Sequence, residues 1–321
     1  MAVYTLITDA MIDQLLAEYD IGERRQLTGI TQGVENTNYR LETSQGDYIL
    51  TIYERRVQPA ELPFFIGLKG HLAEKHFPCP SPVADKSGQI LQTIKDKPMA
   101  IVTFLQGAST TSPSEHQCRK AGEVLAKLHL QAADFTIKRP NALGQHAWRP
   151  LFKDTGKAAD QLETGLTLIV DHWLSRIEAE WPKDLPSGVI HADLFPDNIL
   201  FSGDDISGVI DFYFACQDWF AYDLAIMINA WCFDHQKAFQ LGHAAALFAG
   251  YTSLRPLQQA EYDALPVLAR GGALRFFLTR LYDWVHTPAD AQVLPHNPMD
   301  YLARLRFFDA ITTTDQMVKT P

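Results

Sequence analysis

The hydrophobic and polar positions follow two different patterns along the chain, and the change falls near Gly107. Between residues 26 and 53, short β-rich runs are separated by turn residues, which predicts an antiparallel meander. Residues 61–76 carry apolar side chains at helical spacing and end before the segment PCPSP, and residues 81–105 return to strand patterns. The pattern therefore predicts a sheet with one packed helix.

The part of the chain after Gly107 is predicted to be mainly helical. Residues 115–131 place small and aliphatic side chains on one helical face, and most later segments repeat this period. The exceptions, VIHADLF, NILFSGDD and ISGVIDFYF, are typical of a loop followed by two short strands. The expected fold class is α+β, with an N-terminal sheet lobe over residues 1–106 and a larger, mainly α C-terminal lobe over 107–321.

Composition and charge exclude several kinds of partner. The 321 residues, 46% of them hydrophobic, can fill two cores, and the net charge of −10 without any basic cluster argues against nucleic acid. The four cysteines are dispersed, the N-terminus lacks the basic region of a secretion signal, and no apolar stretch is long enough to span a membrane. We therefore expect a cytoplasmic protein with no membrane partner.

The candidate chemistry lies in the run HADLFPDN, which places Asp193 and Asn198 five residues apart, with Asp211 thirteen residues further on. Phosphoryl transfer needs a carboxylate to accept the attacking hydroxyl's proton and oxygen ligands to hold magnesium on the triphosphate. The spacing matches the H-x-D-x-x-x-x-N loop of protein kinases and the magnesium-binding Asp that follows it. We predict Asp193 as the catalytic base, Asn198 and Asp211 as metal ligands, and ATP and Mg²⁺ as cofactors. His191 is expected to be structural.

The same loop, the preceding segment AGEVLAKLH and the later segment DWFAYDLA resemble the aminoglycoside-phosphotransferase and choline-kinase group, which has the two-lobed protein-kinase-like fold. The resemblance spans nearly the whole chain, although Trp219 stands where the group usually has Pro. Within the group, GVENTNYRLET, YILTIYE, HADLFPDN and RGGALRFFLTRLYDW are most similar to the homoserine kinases of this fold. The resemblance implies ATP-dependent phosphorylation of L-homoserine to O-phospho-L-homoserine, a step of threonine biosynthesis. Asp223 is expected to be a buried anchor.

The resemblance also implies where the nucleotide binds. The segment from Gly29 to Asn38 resembles the hairpin that covers the phosphates, with Gly33 allowing close backbone approach and Asn36 and Asn38 offering amide donors. The segment from Thr103 to Gly107 resembles the interlobe hinge, whose backbone bonds the adenine edge, so Thr103 and Leu105 are candidates there.

The strand position of Thr51 departs from the group's pattern. Most members have Lys or Arg at this position, where the side chain pairs with the α- and β-phosphates. Thr51 cannot carry that charge, and Arg40 or another basic residue is the expected substitute.

The acceptor site must suit a zwitterion if homoserine is the substrate, because it then needs a cation for the carboxylate and an anion for the ammonium. Residues 270–284 offer Arg275 and Arg280 with Asp283, and the five-residue step places the two arginines on neighbouring helix faces. Because the stretch is otherwise apolar and aromatic, at least one arginine is expected to face a cleft or a partner.

Two other hypotheses remain open from the sequence. A kinase of the same fold could act on choline, a sugar or an aminoglycoside, and choline would need only the anion. A degenerate kinase-like binding module is suggested by the missing strand lysine, but the retention of Asp193, Asn198 and Asp211 favours an enzyme. The sequence leaves the oligomeric state open.

Overall fold

The computed structural model describes residues 4–31, 36–54, 58–288 and 295–319. The chain forms two compact units. The first contains Met1–Gly107 with Phe135–Ile137 and Ser207–Tyr213, and the second contains Ala108–Asp134, Lys138–Ile206 and Phe214–Pro321. The mixed composition of the fold, with an N-terminal antiparallel sheet and a helical C-terminal part, confirms the predicted α+β class.

The first unit is built on an antiparallel sheet in which the strands follow the order β1-β2-β3-β6-β4, with β5 paired to β6. Its strands are β1 (Arg24–Ile30), β2 (Thr37–Thr43), β3 (Asp47–Ile52), β4 (Pro82–Val83), β5 (Gln92–Ile94) and β6 (Lys97–Thr103). The predicted meander is β1-β2-β3. On β2, buried and half-buried residues alternate strictly, because successive side chains point to opposite faces of a strand.

Two helices accompany this sheet, α1 (Asp9–Leu16) and α2 (Leu62–Glu74). Helix α1 begins at Thr8, whose side chain accepts the backbone N–H of Met11, and it buries Ile12 and Leu16 in a core shared with the sheet. Helix α2 corresponds to the helix predicted over 61–76. It buries most of its apolar residues together with one lysine, Lys69.

The second unit is mainly helical, as predicted. Its helices are α3 (Glu115–Gln131), α4 (Gln145–Asp154), α5 (Ala159–Leu162), α6 (Leu166–Glu180), α7 (Phe220–Trp231), α8 (Leu241–Leu254), α9 (Gln259–His286), α10 (Met299–Asp309) and α11 (Asp315–Val318). Helix α9 is buried along most of its length and packs against α4, α7 and α10. Most of its buried residues are apolar, as in a helix at the centre of a lobe, but α9 also buries Glu261, Arg270 and Arg275.

Four short strands frame the candidate catalytic loop. Strands β7 (Ser187–Ile190) and β10 (Cys216–Trp219) pair antiparallel, and β8 (Ile199–Ser202) pairs with β9 (Asp205–Val209). The β8-β9 hairpin is the pair of small strands that the sequence predicts after the loop.

Helices α3 and α8 approach closely through two glycines. A Cβ added to Gly122 would lie 2.0 Å from the carbonyl oxygen of Leu247, and one added to Gly250 would lie 2.0 Å from that of Arg119. The contact therefore brings backbone against backbone. It fixes α3, which carries His129, against α8, which carries Tyr251.

All four cysteines are buried free thiols. Among the described residues, no helix combines the length and the apolar character needed to cross a membrane.

Candidate active site

The loop after β7 is shaped by its own hydrogen bonds. The Asp193 carbonyl accepts both the Phe195 N–H at 2.9 Å and the Asn198 side-chain Nδ2 at 2.8 Å. Residues Pro196–Asn198 form a single 3₁₀ turn that leads into β8. Because the Asn198 amide NH₂ group bonds the loop backbone, its side-chain oxygen is the atom suited to a metal ligand.

The peptide unit before Asp193 is held from two sides. Asp223 accepts the backbone N–H groups of His191 at 2.7 Å and Ala192 at 2.8 Å, while the Arg275 guanidinium donates to the Ala192 carbonyl at 2.5 Å. Ala192 has a φ of 62°, in the left-handed region that an alanine rarely adopts. The surrounding contacts impose this conformation, and it directs the Asp193 side chain. Arg275 thus supports the loop.

Asp223 belongs to a buried chain of hydrogen bonds that runs through three helices. His129 Nε2 lies 3.0 Å from Asp223 Oδ2, and His129 Nδ1 lies 2.8 Å from the Tyr251 hydroxyl, which also accepts from Arg255. Arg255 in turn pairs with the buried Glu261 at 2.9 Å. This order is consistent with a neutral His129 that donates to an ionised Asp223. Asp223 is buried, as expected of an anchor, but its hydrogen bonds go to the loop backbone and to His129, and α7 has no side-chain cap hydrogen bond.

The pKa shifts of this pair agree with that assignment. Burial lowers the pKa of His129, because it disfavours the imidazolium. Burial acts to raise the pKa of Asp223, but hydrogen bonds from His129 and from the His191 backbone oppose it, and the net shift is downward. The carboxylate is therefore kept charged beneath the loop.

Asp193 is half-buried, and its charge acts on two residues of the second unit, Arg280 and Tyr301. Burial lowers the pKa of Arg280, an effect that the charges of Asp300 and Asp193 counteract. The neighbourhood of Asp193 thus contains a basic side chain, which a substrate carboxylate requires.

A cavity of about 340 Å³ lies in the second unit, and its wall includes Phe195 of the catalytic loop together with Arg280. Asp300 is its central acid, since its carboxylate lies 2.9 Å from Lys237 Nζ and 3.4 Å from Arg280 Nη1. The other charged, polar and aromatic lining residues include Trp231, Phe233, Asp234, His235, His243, His296, Tyr301 and Arg304. The cavity therefore offers cations and anions together.

The three sequence-predicted acceptor residues lie in different places. Arg280 lines the cavity, Arg275 is buried beneath the loop, and Asp283 is half-buried and does not line the cavity. Sequence reasoning missed the cavity's other charged residues, chiefly Lys237, Asp300 and Arg304. These come from the segment before α8 and from α10, and no local motif marks them.

The nucleotide candidates lie in the first unit. Gly33 falls outside the described residues. Asn36 Oδ1 accepts the backbone N–H of Glu54 at 3.2 Å, and Asn38 Oδ1 accepts the Thr51 hydroxyl at 2.8 Å. Both amide oxygens are therefore used within the sheet, and the two NH₂ groups are the donors that could meet phosphate oxygens. Their role in nucleotide binding stays a prediction.

At the predicted hinge, Thr103 and Leu105 differ in how their backbones are used. The Thr103 N–H donates to the Ser81 carbonyl, and its hydroxyl accepts the Ser81 N–H, both at 2.9 Å. Within the described part of the chain, the Leu105 backbone has no hydrogen bond. Leu105 is therefore the better candidate for the adenine edge.

Arg40 is not placed to replace the strand lysine. Its guanidinium lies 2.8 Å from Asp47 and 3.4 Å from Glu42, and it stacks on the Phe104 ring at 4.7 Å. The carboxylates of two neighbouring strands therefore already neutralise its charge.

Asn198 and Asp211 have the chemistry of magnesium ligands. An amide oxygen and a carboxylate are hard donors, and Mg²⁺ in nucleotide sites usually takes one or two protein carboxylates or amides together with waters and phosphate oxygens. Asp211 is exposed and has a φ of 63°, which Asp tolerates better than most residues. Each residue therefore offers a donor atom of the kind that a divalent cation prefers.

The candidate loop with Asp193 and Asn198, and the exposed Asp211 that follows it, have the pattern expected of a kinase-like phosphotransferase. The family model "Phosphotransferase enzyme family" matches residues 26–257. Since the match covers well over half of the chain, the chain belongs to this family.

Within this family, the chain is similar over nearly its full length to proteins named homoserine kinase. The chain is 50% identical over 312 residues to a homoserine kinase of Rhodospirillum rubrum, covering 97% of each protein. It is 51% identical over 313 residues to a homoserine kinase of Azorhizobium caulinodans, covering 98% of each. Among solved structures, an amicoumacin kinase in complex with AMP-PNP, Ca²⁺ and Ami is 16% identical, with a TM-score of 0.70 and coverage of 98% and 96%. That last likeness shows the shared fold.

Proposed function

We propose that this chain transfers the γ-phosphoryl group of ATP to the side-chain hydroxyl of L-homoserine, with Mg²⁺ as the metal, to give O-phospho-L-homoserine for threonine biosynthesis. The observation that carries the proposal is a cavity with both signs of charge, lined by Phe195 of the candidate loop and by Arg280, on which the charge of Asp193 acts. Relatives named homoserine kinase, about half identical over nearly the full chain, support it.

In the proposed reaction, Asp193 accepts the proton of the acceptor hydroxyl. The hydroxyl oxygen forms a bond to the γ-phosphorus while the bond to the ADP oxygen breaks. Asn198 and Asp211 would hold the Mg²⁺, which neutralises charge on the phosphates. Asp223 and Arg275 keep the loop in the conformation that aims Asp193 at the hydroxyl.

The cavity favours a zwitterion over choline. A quaternary ammonium is usually held by open aromatic faces. Here the guanidinium of Arg280 lies 4.6 Å from the Tyr301 ring centroid, and that of Arg304 lies 4.9 Å from Phe233 and 4.7 Å from Tyr301. The protein's own cations therefore lie over the Tyr301 and Phe233 rings, and these cations suit a carboxylate. Asp300 and Asp234 are the candidates for the ammonium.

The same proposal assigns a different role to each of the two predicted lobes. Residues 1–106 would bind the nucleotide through Asn36, Asn38 and the Leu105 backbone, and residues 107–321 would carry the catalytic loop and the acceptor cavity. We propose a cytoplasmic enzyme whose ligands are ATP and homoserine, with no nucleic-acid partner.

The test is ADP release with a panel of acceptors: L-homoserine, choline, ethanolamine and an aminoglycoside, each with Mg²⁺ and with a chelator. We expect turnover with L-homoserine that the chelator abolishes. Robust turnover of choline or an aminoglycoside in preference to homoserine would refute the acceptor, and no ADP release with any acceptor would favour the binding module.

Asp193→Asn tests the base. Loss of the proton acceptor should lower kcat by roughly 10² to 10⁴, the usual contribution of acid-base catalysis. Asp197→Asn is the matched control, because Asp197 lies on the same loop and is exposed, and its kcat should stay within about threefold of the parent value. If the Asp193→Asn protein is also within threefold, the assignment of the base is wrong.

A further inference from the structure

Lys69 is a charged residue at a position that helix packing would give to an apolar one. It lies on α2 at helical spacing with the buried Leu62, Phe65 and Leu72, and its relative exposure is 6%. Burying an ammonium is costly unless the charge meets a compensating group or a ligand. The apolar packing of α2 does not explain the choice of lysine.

The surroundings of Lys69 compensate the charge in part. Its Nζ lies 5.6 Å from the Tyr213 ring centroid, and the charge of Asp211 acts on it from a distance. Burial lowers the pKa of Lys69 to about 8, and burial raises that of the neighbouring Cys79 thiol to about 12, so the thiol brings no negative charge. Within the described residues, no ion pair includes Lys69.

Tyr213 connects Lys69 to the strand position that lacks its lysine. Thr51 is on the central strand β3, between Asn38 of β2 and Ala100 of β6. The Tyr213 ring packs edge-on against the ring of Tyr53, two residues after Thr51, with 5.9 Å between the centroids. The Lys69 ammonium lies over the same Tyr213 ring. The aromatic side chain of Tyr213 therefore lies between Lys69 and the strand that lacks its lysine, and Asp211, a proposed metal ligand, is two residues before Tyr213.

We propose that Lys69 binds the nucleotide phosphates and supplies from helix α2 the positive charge that Thr51 cannot supply from strand β3. This inference rests on the proposed ATP-dependent phosphotransfer, and it concerns the nucleotide alone. A buried ammonium without an ion pair among the described residues suits a polyphosphate, which brings both negative charge and oxygen acceptors for the three N–H donors of lysine. Arg40, the other candidate, is neutralised by Asp47 and Glu42.

The test compares nucleotides with a nucleoside in calorimetric titrations without any acceptor. Lys69→Met keeps a side chain of similar length and removes the charge. We expect the affinities for ADP and ATP to fall about tenfold to a hundredfold, as for a lost charge-assisted hydrogen bond, with and without Mg²⁺. The affinity for adenosine, measured by competition, should stay within about twofold. Lys127→Met, at an exposed position of α3, is the control and should leave all three affinities unchanged.

Three outcomes would overturn the inference. Unchanged ADP affinity would show that the ammonium does not meet phosphate, and equal losses for ADP and adenosine would show damage to the fold. A loss confined to titrations with Mg²⁺ would show that Lys69 acts through Asp211.

The melting temperature of Lys69→Met should be no lower than that of the parent, because replacing a buried charge by an apolar side chain is often neutral or stabilising. Lys69→Arg, which keeps the charge, should bind ADP more tightly than Lys69→Met. Because no acceptor is present, failure of homoserine as a substrate would leave this test unaffected.

Discussion

Asp223→Asn tests whether the buried carboxylate holds the catalytic loop. Asp223 accepts three hydrogen bonds, from the His191 and Ala192 backbones and from His129, at 2.7, 2.8 and 3.0 Å. Asparagine presents one oxygen and one NH₂ group to these donors, so at least one donor faces another donor. One charge-assisted bond is lost outright, about 1.5–3 kcal/mol, and the others become neutral bonds. We expect a total loss in the free energy of unfolding of about 3–5 kcal/mol, as for other buried charge pairs that are broken.

The same change should reduce turnover more than it reduces substrate binding. Without its anchor, Ala192 can leave the left-handed region, where its φ of 62° costs about 1–2 kcal/mol. Asp193 is the next residue, and a displacement of about 1 Å in a catalytic group can cost about 10²-fold in rate. We therefore expect kcat to fall by about that factor, while the KM for ATP changes little.

Urea unfolding and steady-state kinetics on the parent and two variants measure both effects. Asp171→Asn is the control, since Asp171 is exposed on α6 and pairs with Arg149 at 2.8 Å, and a surface pair of this kind contributes about 1 kcal/mol or less. A loss below 1 kcal/mol in Asp223→Asn, with kcat within threefold of the parent, would refute the anchor role.

The effect of pH follows from the lowered pKa of Asp223. A carboxylate whose pKa is lower in the folded state than in the unfolded state stabilises the folded protein at any pH above its ordinary pKa of 3.8. This stabilisation is lost as the pH falls through the folded-state pKa. The stability difference between the parent and Asp223→Asn should therefore be constant from about pH 8 to pH 5 and shrink below about pH 4. A difference that shrinks near neutral pH would contradict the assignment of an ionised Asp223.

Two further predictions concern the acceptor cavity and the α3-α8 contact. Arg280→Ala should raise the KM for L-homoserine about tenfold to a hundredfold and leave the KM for ATP nearly unchanged. The control Arg306→Ala, on the exposed side of α10, should change neither KM. Equal effects of Arg280→Ala on both KM values would indicate misfolding. In thermal unfolding, Gly250→Ala should destabilise the protein by roughly 1–3 kcal/mol or more, because the new Cβ would lie 2.0 Å from the Arg119 carbonyl oxygen. Gly70→Ala should stabilise the protein by about 0.5–1 kcal/mol, because no atom lies within 4 Å of the new Cβ. Equal melting temperatures for the two alanine variants would contradict the close helix contact.

Much of the fold could be predicted because its signals are local. The alternation along Thr37–Thr43 has the period of a strand, and Ser114 with Gln117 forms a capping box at the start of the helix predicted over 115–131. The catalytic loop was also accessible, since Asp193 and Asn198 lie within one short segment whose spacing is set by the 3₁₀ turn and the strand that follows.

The rest of the candidate site depends on contacts between distant segments. Asp300 and Arg304 reach the cavity because α10 packs on α9, and Lys237 reaches it from the segment before α8. No spacing along the chain shows that these segments meet. Arg275 and Arg280 look alike in the sequence, yet one supports a loop carbonyl and the other lines the cavity. The sequence does show a lysine among the apolar positions of a helix, at residue 69. A nucleotide-binding role could be proposed only once the structure showed the Lys69 ammonium over the Tyr213 ring.

The buried charges described here are compensated in different ways. Those beneath the catalytic loop are compensated within the protein, whereas Lys69 is expected to need a ligand. Asp223 accepts hydrogen bonds from His129 and from the backbone of the loop, so the loop cannot move without leaving this buried carboxylate short of donors. Arg275 donates to the carbonyl of Ala192 in the same loop and lies over the Phe276 ring. Lys69 has an aromatic face and a more distant carboxylate, and its remaining stabilisation is expected from phosphate oxygens. The catalytic loop should therefore be preorganised before substrates arrive, while nucleotide binding should raise the melting temperature of the parent more than that of Lys69→Met. A thermal shift with ADP that is equal in the two proteins would show that the ammonium is already fully compensated within the fold.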